Sequence, residues 1–282
     1  YPTHVPPSRH LPAFLMGVGW YLWVCSHNAQ LMNPQHLTIL TGASRGMGLA
    51  MAQQLLQRPG QYLVCISRHT NAALQATAAH THLEQWPHDL AQAEATAQAL
   101  TTWLQAHKPG QFASATLINN AALLPRIAPL DQSAPADLAQ ALRVGLEAPM
   151  LLTAAFLHAT IGWAVPRKVL NISSGLGRRP MASQAAYCAV KAGMDHFTRC
   201  LALEEAGKPN GAKVCSLAPG VIDTDMQVTL RSADVAVFPD QGRFAGLKAQ
   251  GQLTSPDDAA ASVLAWLNRA DFGNEPVADV RG

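Results

Sequence analysis

From residue 37 onward, short apolar runs alternate with longer stretches whose apolar residues recur at helical spacing. Seven runs read as strands, over 37–41, 62–67, 83–86, 115–119, 168–173, 213–217 and 276–280. Each is continuous and apolar, the mark of a strand covered on both faces, with the run at 83–86 the weakest. The stretches 46–57, 90–107, 136–159, 183–206 and 256–268 read as helices, and 71–80 as a shorter one. The alternation predicts an α/β fold, a Rossmann-type doubly wound parallel sheet of about seven strands with helices on both faces.

One segment breaks the pattern. Residues 221–253 are mixed in character and bounded by Pro219-Gly220 and Ser255-Pro256. Connections this long in compact domains usually act as lids or binding segments, so this one is assigned to a substrate-binding lid. At the other end, residues 11–25 are apolar, with Phe14, Trp20, Tyr21 and Trp23. They contain Pro12, however, and fall short of the ~20 residues that span a bilayer. Residues 1–31 therefore read as an extension outside the core, and 32–282 as a single domain.

Composition narrows the class. Of 282 residues, 49% are apolar and only 13% charged, so the chain can bury a large core. A net charge of +2, with no basic block longer than Arg178-Arg179, leaves no electrostatic footprint for nucleic acid. Cys25, Cys65, Cys188, Cys200 and Cys215 contain no C-x-x-C pair, and their odd number argues against a disulfide framework. A reducing compartment, the cytoplasm, is expected. His80, His82 and His88 lack a carboxylate or thiolate at ligand spacing, so no metal is expected.

Thr41-Gly-Ala-Ser-Arg-Gly-Met-Gly48 follows the first strand and opens the first helix. Glycines there allow a tight turn and close approach to a pyrophosphate, and the helix N-terminus supplies N–H donors. Gly42, Ser44, Arg45, Gly46, Met47 and Gly48 are the candidate phosphate-loop contacts. The same letters match G-x-S-x-G, the elbow of serine hydrolases. That chemistry needs a late histidine, and the last one here is His196, inside a predicted helix.

The second strand ends in Ser67-Arg68-His69, where an NAD site would carry Asp or Glu for the ribose hydroxyls. Arg68 there, with Arg45 in the loop, suits a 2′-phosphate and points to NADP(H). Asp89 and Leu90, after the third strand, are candidates for the adenine edge. Tyr187-Cys-Ala-Val-Lys191 puts a phenol and an ammonium on one helical face. A cation beside a phenol is expected to lower its pKa toward working pH, which makes Tyr187 the candidate proton donor. Asn171-Ile-Ser-Ser-Gly175 ends the preceding strand, where active sites of open α/β sheets lie.

Together these segments resemble the short-chain dehydrogenase/reductase family, over essentially 37–282. The glycine loop matches T-G-x-x-x-G-x-G, Asn119-Asn-Ala-Ala122 resembles N-N-A-G, and Ser174 precedes Tyr187 by the family's spacing. The resemblance implies that Ser174 orients a carbonyl, Tyr187 donates the proton, and Lys191 holds the nicotinamide ribose and tunes the tyrosine. It adds Asn120, Ala121, Pro219, Gly220, Val221 and Thr224 to the cofactor contacts, and implies a homodimer or homotetramer. Within the family, the segments around Asn171, Tyr187 and Pro219 look like those of benzil reductases and sepiapterin-reductase-like enzymes. That likeness implies a small-molecule carbonyl substrate such as a vicinal dicarbonyl. Met181, Met226, Phe238 and Phe244 read either as an apolar wall of its pocket or as ordinary core. One position departs from the family. Where it carries an asparagine that fixes a proton-relaying water, Arg143-Val-Gly-Leu-Glu-Ala-Pro149 offers Gly145. The expected function is an NADPH-dependent carbonyl reductase; the alternative is a catalytically weak NADP(H)-binding regulator of the same fold.

Overall fold

In the computed structural model, which describes residues 35–78 and 81–282, the seven apolar runs form one parallel sheet. The strands are β1 (Gln35–Thr41), β2 (Gln61–Ser67), β3 (His82–Pro87), β4 (Phe112–Asn119), β5 (Arg167–Ile172), β6 (Lys213–Ala218) and β7 (Val277–Asp279). Their order is β3-β2-β1-β4-β5-β6-β7. The chain thus leaves β1 in one direction through β2 and β3, and in the other through β4 to β7. This is the doubly wound topology, and its switch point lies between β1 and β4.

Helices α1 (Gly46–Leu56), α2 (Ala72–Thr77), α3 (Ala93–Gln105), α4 (Pro135–Leu142), α5 (Ala148–Ala159), α6 (Ala185–Ala206), α7 (Asp225–Arg231), α8 (Gln241–Ala249) and α9 (Pro256–Leu267) connect the strands. Successive strand residues point to opposite faces, and each face has its own helical cover. Leu40, Leu63, Ile118 and Leu170 pack with Met51 and Leu55 of α1 and Val263 and Leu264 of α9. Leu37, Ile39, Val64, Leu117 and Val169 pack with Leu100 of α3, Leu152 and Phe156 of α5, and Leu201 of α6. Both faces of the sheet are therefore buried, which is why the strand runs are continuous rather than alternating.

Local chemistry moves several boundaries. The helix expected over 90–107 opens as a 3₁₀ turn, Leu90–Gln92, because the Asp89 carboxylate accepts from the Ala91 N–H at 3.0 Å. The helix expected over 136–159 divides into α4 and α5 around a π-helical turn, Arg143–Glu147. Pro149, in the first turn of α5, has no N–H to donate back, and the ladder widens just before it. The lid holds two helices, α7 and α8, and its base is closed by backbone bonds between Thr254 and residues 221 and 223. The extension expected over 1–31 lies outside the described residues.

The π turn presses on α6. A Cβ added at Gly145 would stand 2.5 Å from Cγ1 of Val190, and one at Gly193 3.0 Å from Cδ2 of Leu146. Val190 is buried, and a β-branched side chain in a helix has little χ1 freedom to give way. The space an asparagine at 145 would need is thus taken by Val190. Gly145→Asn is expected to cost about 1–3 kcal/mol of stability, the usual range for overpacking. Val190→Ala in the same chain is expected to recover most of it, as read by chemical denaturation; a neutral Gly145→Asn would contradict this packing.

Candidate active site

The C-terminal ends of β1, β2, β4, β5 and β6 open into a cleft of about 810 Å³, roofed by the lid. Its floor at β1 is the glycine loop. Gly42 and Gly46 hold φ of +72° and +55°, a region costly for other residues. A Cβ on Gly48 would lie 2.1 Å from the Gly42 carbonyl oxygen and 2.5 Å from Nδ2 of Asn120, so only glycine lets α1 start this close to the turn.

The loop is held from β4. Asn120 Nδ2 donates to the carbonyls of Thr41 (3.0 Å) and Gly42 (3.2 Å), and the N–H groups of Asn120 and Ala121 donate to Thr41 Oγ1 at 2.9 and 3.0 Å. From β2, Ser67 Oγ accepts from the Ala43 N–H at 2.9 Å. The Asn120 side chain therefore braces the loop while it lines the cleft. What remains at the start of α1 is a concave, side-chain-free cradle below a helix N-terminus, which fits a pyrophosphate.

Arg68 is exposed at the end of β2 and lines the same cleft, as do Ser44, Arg45, Met47, Asp89 and Leu90. Arg45 Nη1 meets Asp225 Oδ2 of α7 at 3.0 Å, with both side chains more than 70% exposed (71% and 77%). An ion pair so open to water is worth little, and a phosphate can displace it. Pro219, Gly220, Val221 and Thr224 form the opposite wall where β6 leads into the lid.

Ser174, Tyr187 and Lys191 converge on this cleft from β5 and α6. Lys191 is 2% exposed, and its Nζ donates to the Ile172 carbonyl at 2.7 Å. It stands 5.8 Å from the centre of the Tyr187 ring. Burial pushes the Tyr187 phenol up to about 12, with the Ser174 hydroxyl pulling the other way. This reverses the expected lowering. Lys191 is itself brought down to about 8 by burial, with Asp195 opposing, and its ammonium is turned to a carbonyl rather than to the phenol. At neutral pH Tyr187 keeps its proton and Lys191 its charge.

Asp195, not among the candidates drawn from the sequence, ties these parts together. It lies one helical turn beyond Lys191 on α6 and is buried. Ser173 Oγ and Ser216 Oγ both donate to its Oδ1 at 2.6 Å, and Arg178 Nε donates to Oδ2 at 3.2 Å. Arg178 also donates to the Ala278 carbonyl of β7 at 2.8 Å. One carboxylate thus fixes the residue beside Ser174, the helix carrying Tyr187 and Lys191, and the ends of β6 and β7. The available signal was a carboxylate four residues after Lys191 on the buried face of α6.

The four apolar residues divide between wall and core. Met226 and Phe244 line the cleft, with Leu176 and Leu230 beside them. Phe238 is fully buried, stacked on Phe244 at 5.6 Å between ring centres, and with Met181 it belongs to the core behind that wall.

A family profile described as short chain dehydrogenase matches residues 36–235. A benzil reductase ((S)-benzoin forming) of Bacillus cereus is 34% identical over 236 residues, covering 83% of this chain and 94% of its own. A sepiapterin reductase of Meriones unguiculatus is 30% identical over 246 residues, covering 83% and 92%. The solved structure of KRED1-Pglu superposes with a TM-score of 0.72 at 26% identity, covering 86% of this chain and 99% of its own. With the doubly wound sheet, the glycine loop and this length of sequence in common, the chain belongs to the short-chain dehydrogenase family.

Proposed function

We propose that this oxidoreductase is an NADPH-dependent carbonyl reductase acting on a ketone or vicinal dicarbonyl, with Tyr187 as the proton donor. The observation that carries the reading is a single cleft shared by the glycine cradle and by Ser174, Tyr187 and Lys191. The benzil reductase relative supports the substrate class. Arg45 and Arg68, with no carboxylate at the end of β2, support a 2′-phosphate.

A bound reduced nicotinamide would supply the hydride; the chain's own part is to hold, orient and protonate. The cradle of Gly42, Gly46 and Gly48 would take the pyrophosphate, Arg45 and Arg68 the 2′-phosphate, and Asp89 with Leu90 the adenine side. Asn120 and Ala121 keep the loop in shape. Pro219, Gly220, Val221 and Thr224 would border the nicotinamide. Ser174 Oγ aligns the carbonyl oxygen, and Tyr187 passes its phenolic proton to that oxygen as negative charge builds there. Lys191 in its charged form stabilises the tyrosinate left behind. The apolar wall of Leu176, Leu230 and Phe244 excludes water from the reacting carbon.

Leu142, Met150 and Leu203 expose large apolar surface on α4, α5 and α6, at 44%, 43% and 80%, which supports a homodimer or homotetramer. We assign the protein to the cytoplasm, a compartment suited to the free cysteines among the described residues. The regulatory alternative rests on Gly145, and the same assay separates the two: a regulator binds NADPH without oxidising it.

Tyr187→Phe is expected to lower kcat at least about 100-fold with NADPH affinity unchanged, by steady-state rates and fluorescence titration. Arg68→Glu is expected to move the NADPH:NADH preference toward NADH by about tenfold or more, in the ratio of the two kcat/KM values. The rate is expected to fall above about pH 8 as Lys191 loses its proton. Because the Asp195 carboxylate raises Lys191, Asp195→Asn should lower the lysine further and move that alkaline limb to lower pH. An unmoved limb in the kcat profile would contradict the link between the two residues.

A further inference from the structure

Gln227 is the third residue of α7, the lid helix that begins just after Thr224. Its side chain is 2% exposed, and neither its amide nitrogen nor its amide oxygen has a hydrogen-bond partner. A primary amide carries two donors and an acceptor, and buried polar groups in folded proteins are overwhelmingly paired. Leaving both ends of one unpaired is costly, so such a group calls for an explanation.

The surroundings offer Gln227 little. Met226 and Leu230 on its own helix and Phe244 from α8 are apolar. Asp223 is engaged by Arg231 and Lys248, and Asp225 by Arg45. Gln241, also on the lid, shows the ordinary arrangement, with its Nε2 donating to the Arg231 carbonyl at 2.5 Å. Gln227 alone on the lid keeps a buried, unpaired amide, and it lines the same cleft as Ser174 and Tyr187. Rotation about its side-chain torsions would carry the amide further into that cleft.

We propose that Gln227 determines specificity by binding the second oxygen of the substrate, the one on the carbon next to the carbonyl being reduced. The inference rests on the carbonyl-reductase reading above. The hydroxyls of Ser174 and Tyr187 take the reacting oxygen. A vicinal dicarbonyl then offers its remaining oxygen to the Gln227 N–H, and the hydroxyketone product keeps that oxygen. A monoketone leaves the buried amide unpaired. Sites built to hydrogen-bond one polar group reject analogues lacking it far better than apolar pockets sort by size.

The test is Gln227→Leu, which keeps the volume and removes the amide, with Gln227→Met as a second variant should the first not fold. Three quantities are read: the thermal midpoint of the ligand-free protein, the NADPH affinity, and kcat/KM for 1-phenyl-1,2-propanedione against propiophenone. The midpoint is expected to hold or rise, since an unpaired buried amide is lost. NADPH affinity should stay the same. The dione kcat/KM should fall at least about tenfold while propiophenone is unaffected, so that the preference for the dione collapses. Equal losses on both ketones with a lowered midpoint would make Gln227 a structural residue and overturn the inference. Weakened NADPH binding would assign the amide to the cofactor, and an undiminished dione rate would leave it no role in the substrate; either overturns it too. If the unaltered protein reduces neither ketone in a Tyr187-dependent way, the carbonyl-reductase reading falls as well, whereas the variant outcomes above strike the Gln227 inference alone.

Discussion

A carboxylate buried where three strands end must find fixed donors, and Asp195 finds them in Ser173, Ser216 and Arg178. An unpaired charge at that depth would cost several kcal/mol, so the chain segments that carry the donors are not free to shift independently. Ser173 sets the position of Ser174. The α6 backbone that bears Asp195 also bears Tyr187 and Lys191. Arg178 carries the constraint on to β7 through the Ala278 carbonyl. Gly177 is part of the same solution, because a Cβ there would lie 2.9 Å from Asp195 Oδ2. Ser174, Tyr187 and Lys191 are thus pre-positioned by a salt-bridged hydrogen-bond network.

The architecture was legible because both faces of the sheet are buried. Continuous runs such as those in β1, β2 and β4 have few alternative readings when each is followed by a helical stretch. Even β3, only partly buried at the sheet edge, keeps enough apolar character to read as a strand. The glycine loop, Ser174, Tyr187 and Lys191 were legible because their spacings are local. The Asp195 network was not, since Ser173, Arg178 and Ser216 come to it from separate segments. The direction of the Tyr187 shift was missed for a similar reason: spacing puts a cation near a phenol, but burial of both groups decides their pKa values.

Gly145 shows how a local departure acquires meaning from its surroundings. In the sequence it reads as a missing side chain. In the fold it is one half of a packed pair, because Val190 fills the volume that a side chain at 145 would need. The π turn that presents Gly145 to α6 precedes Pro149, so backbone chemistry and packing agree at that point. The lid shows a parallel contrast. Phe238 and Met181 anchor it to the core, while Met226, Leu230 and Phe244 face the cleft. On the proposed function, that second set and the few polar groups among it would select the substrate.

The central claim is that this cleft reduces a carbonyl with NADPH, and the most direct measurement is the initial rate of cofactor oxidation when benzil is added to the protein with NADPH or with NADH. Saturable, benzil-dependent oxidation, faster with NADPH than with NADH, is the expected result. Tight NADPH binding with no oxidation, for benzil and for other vicinal diketones alike, would contradict it.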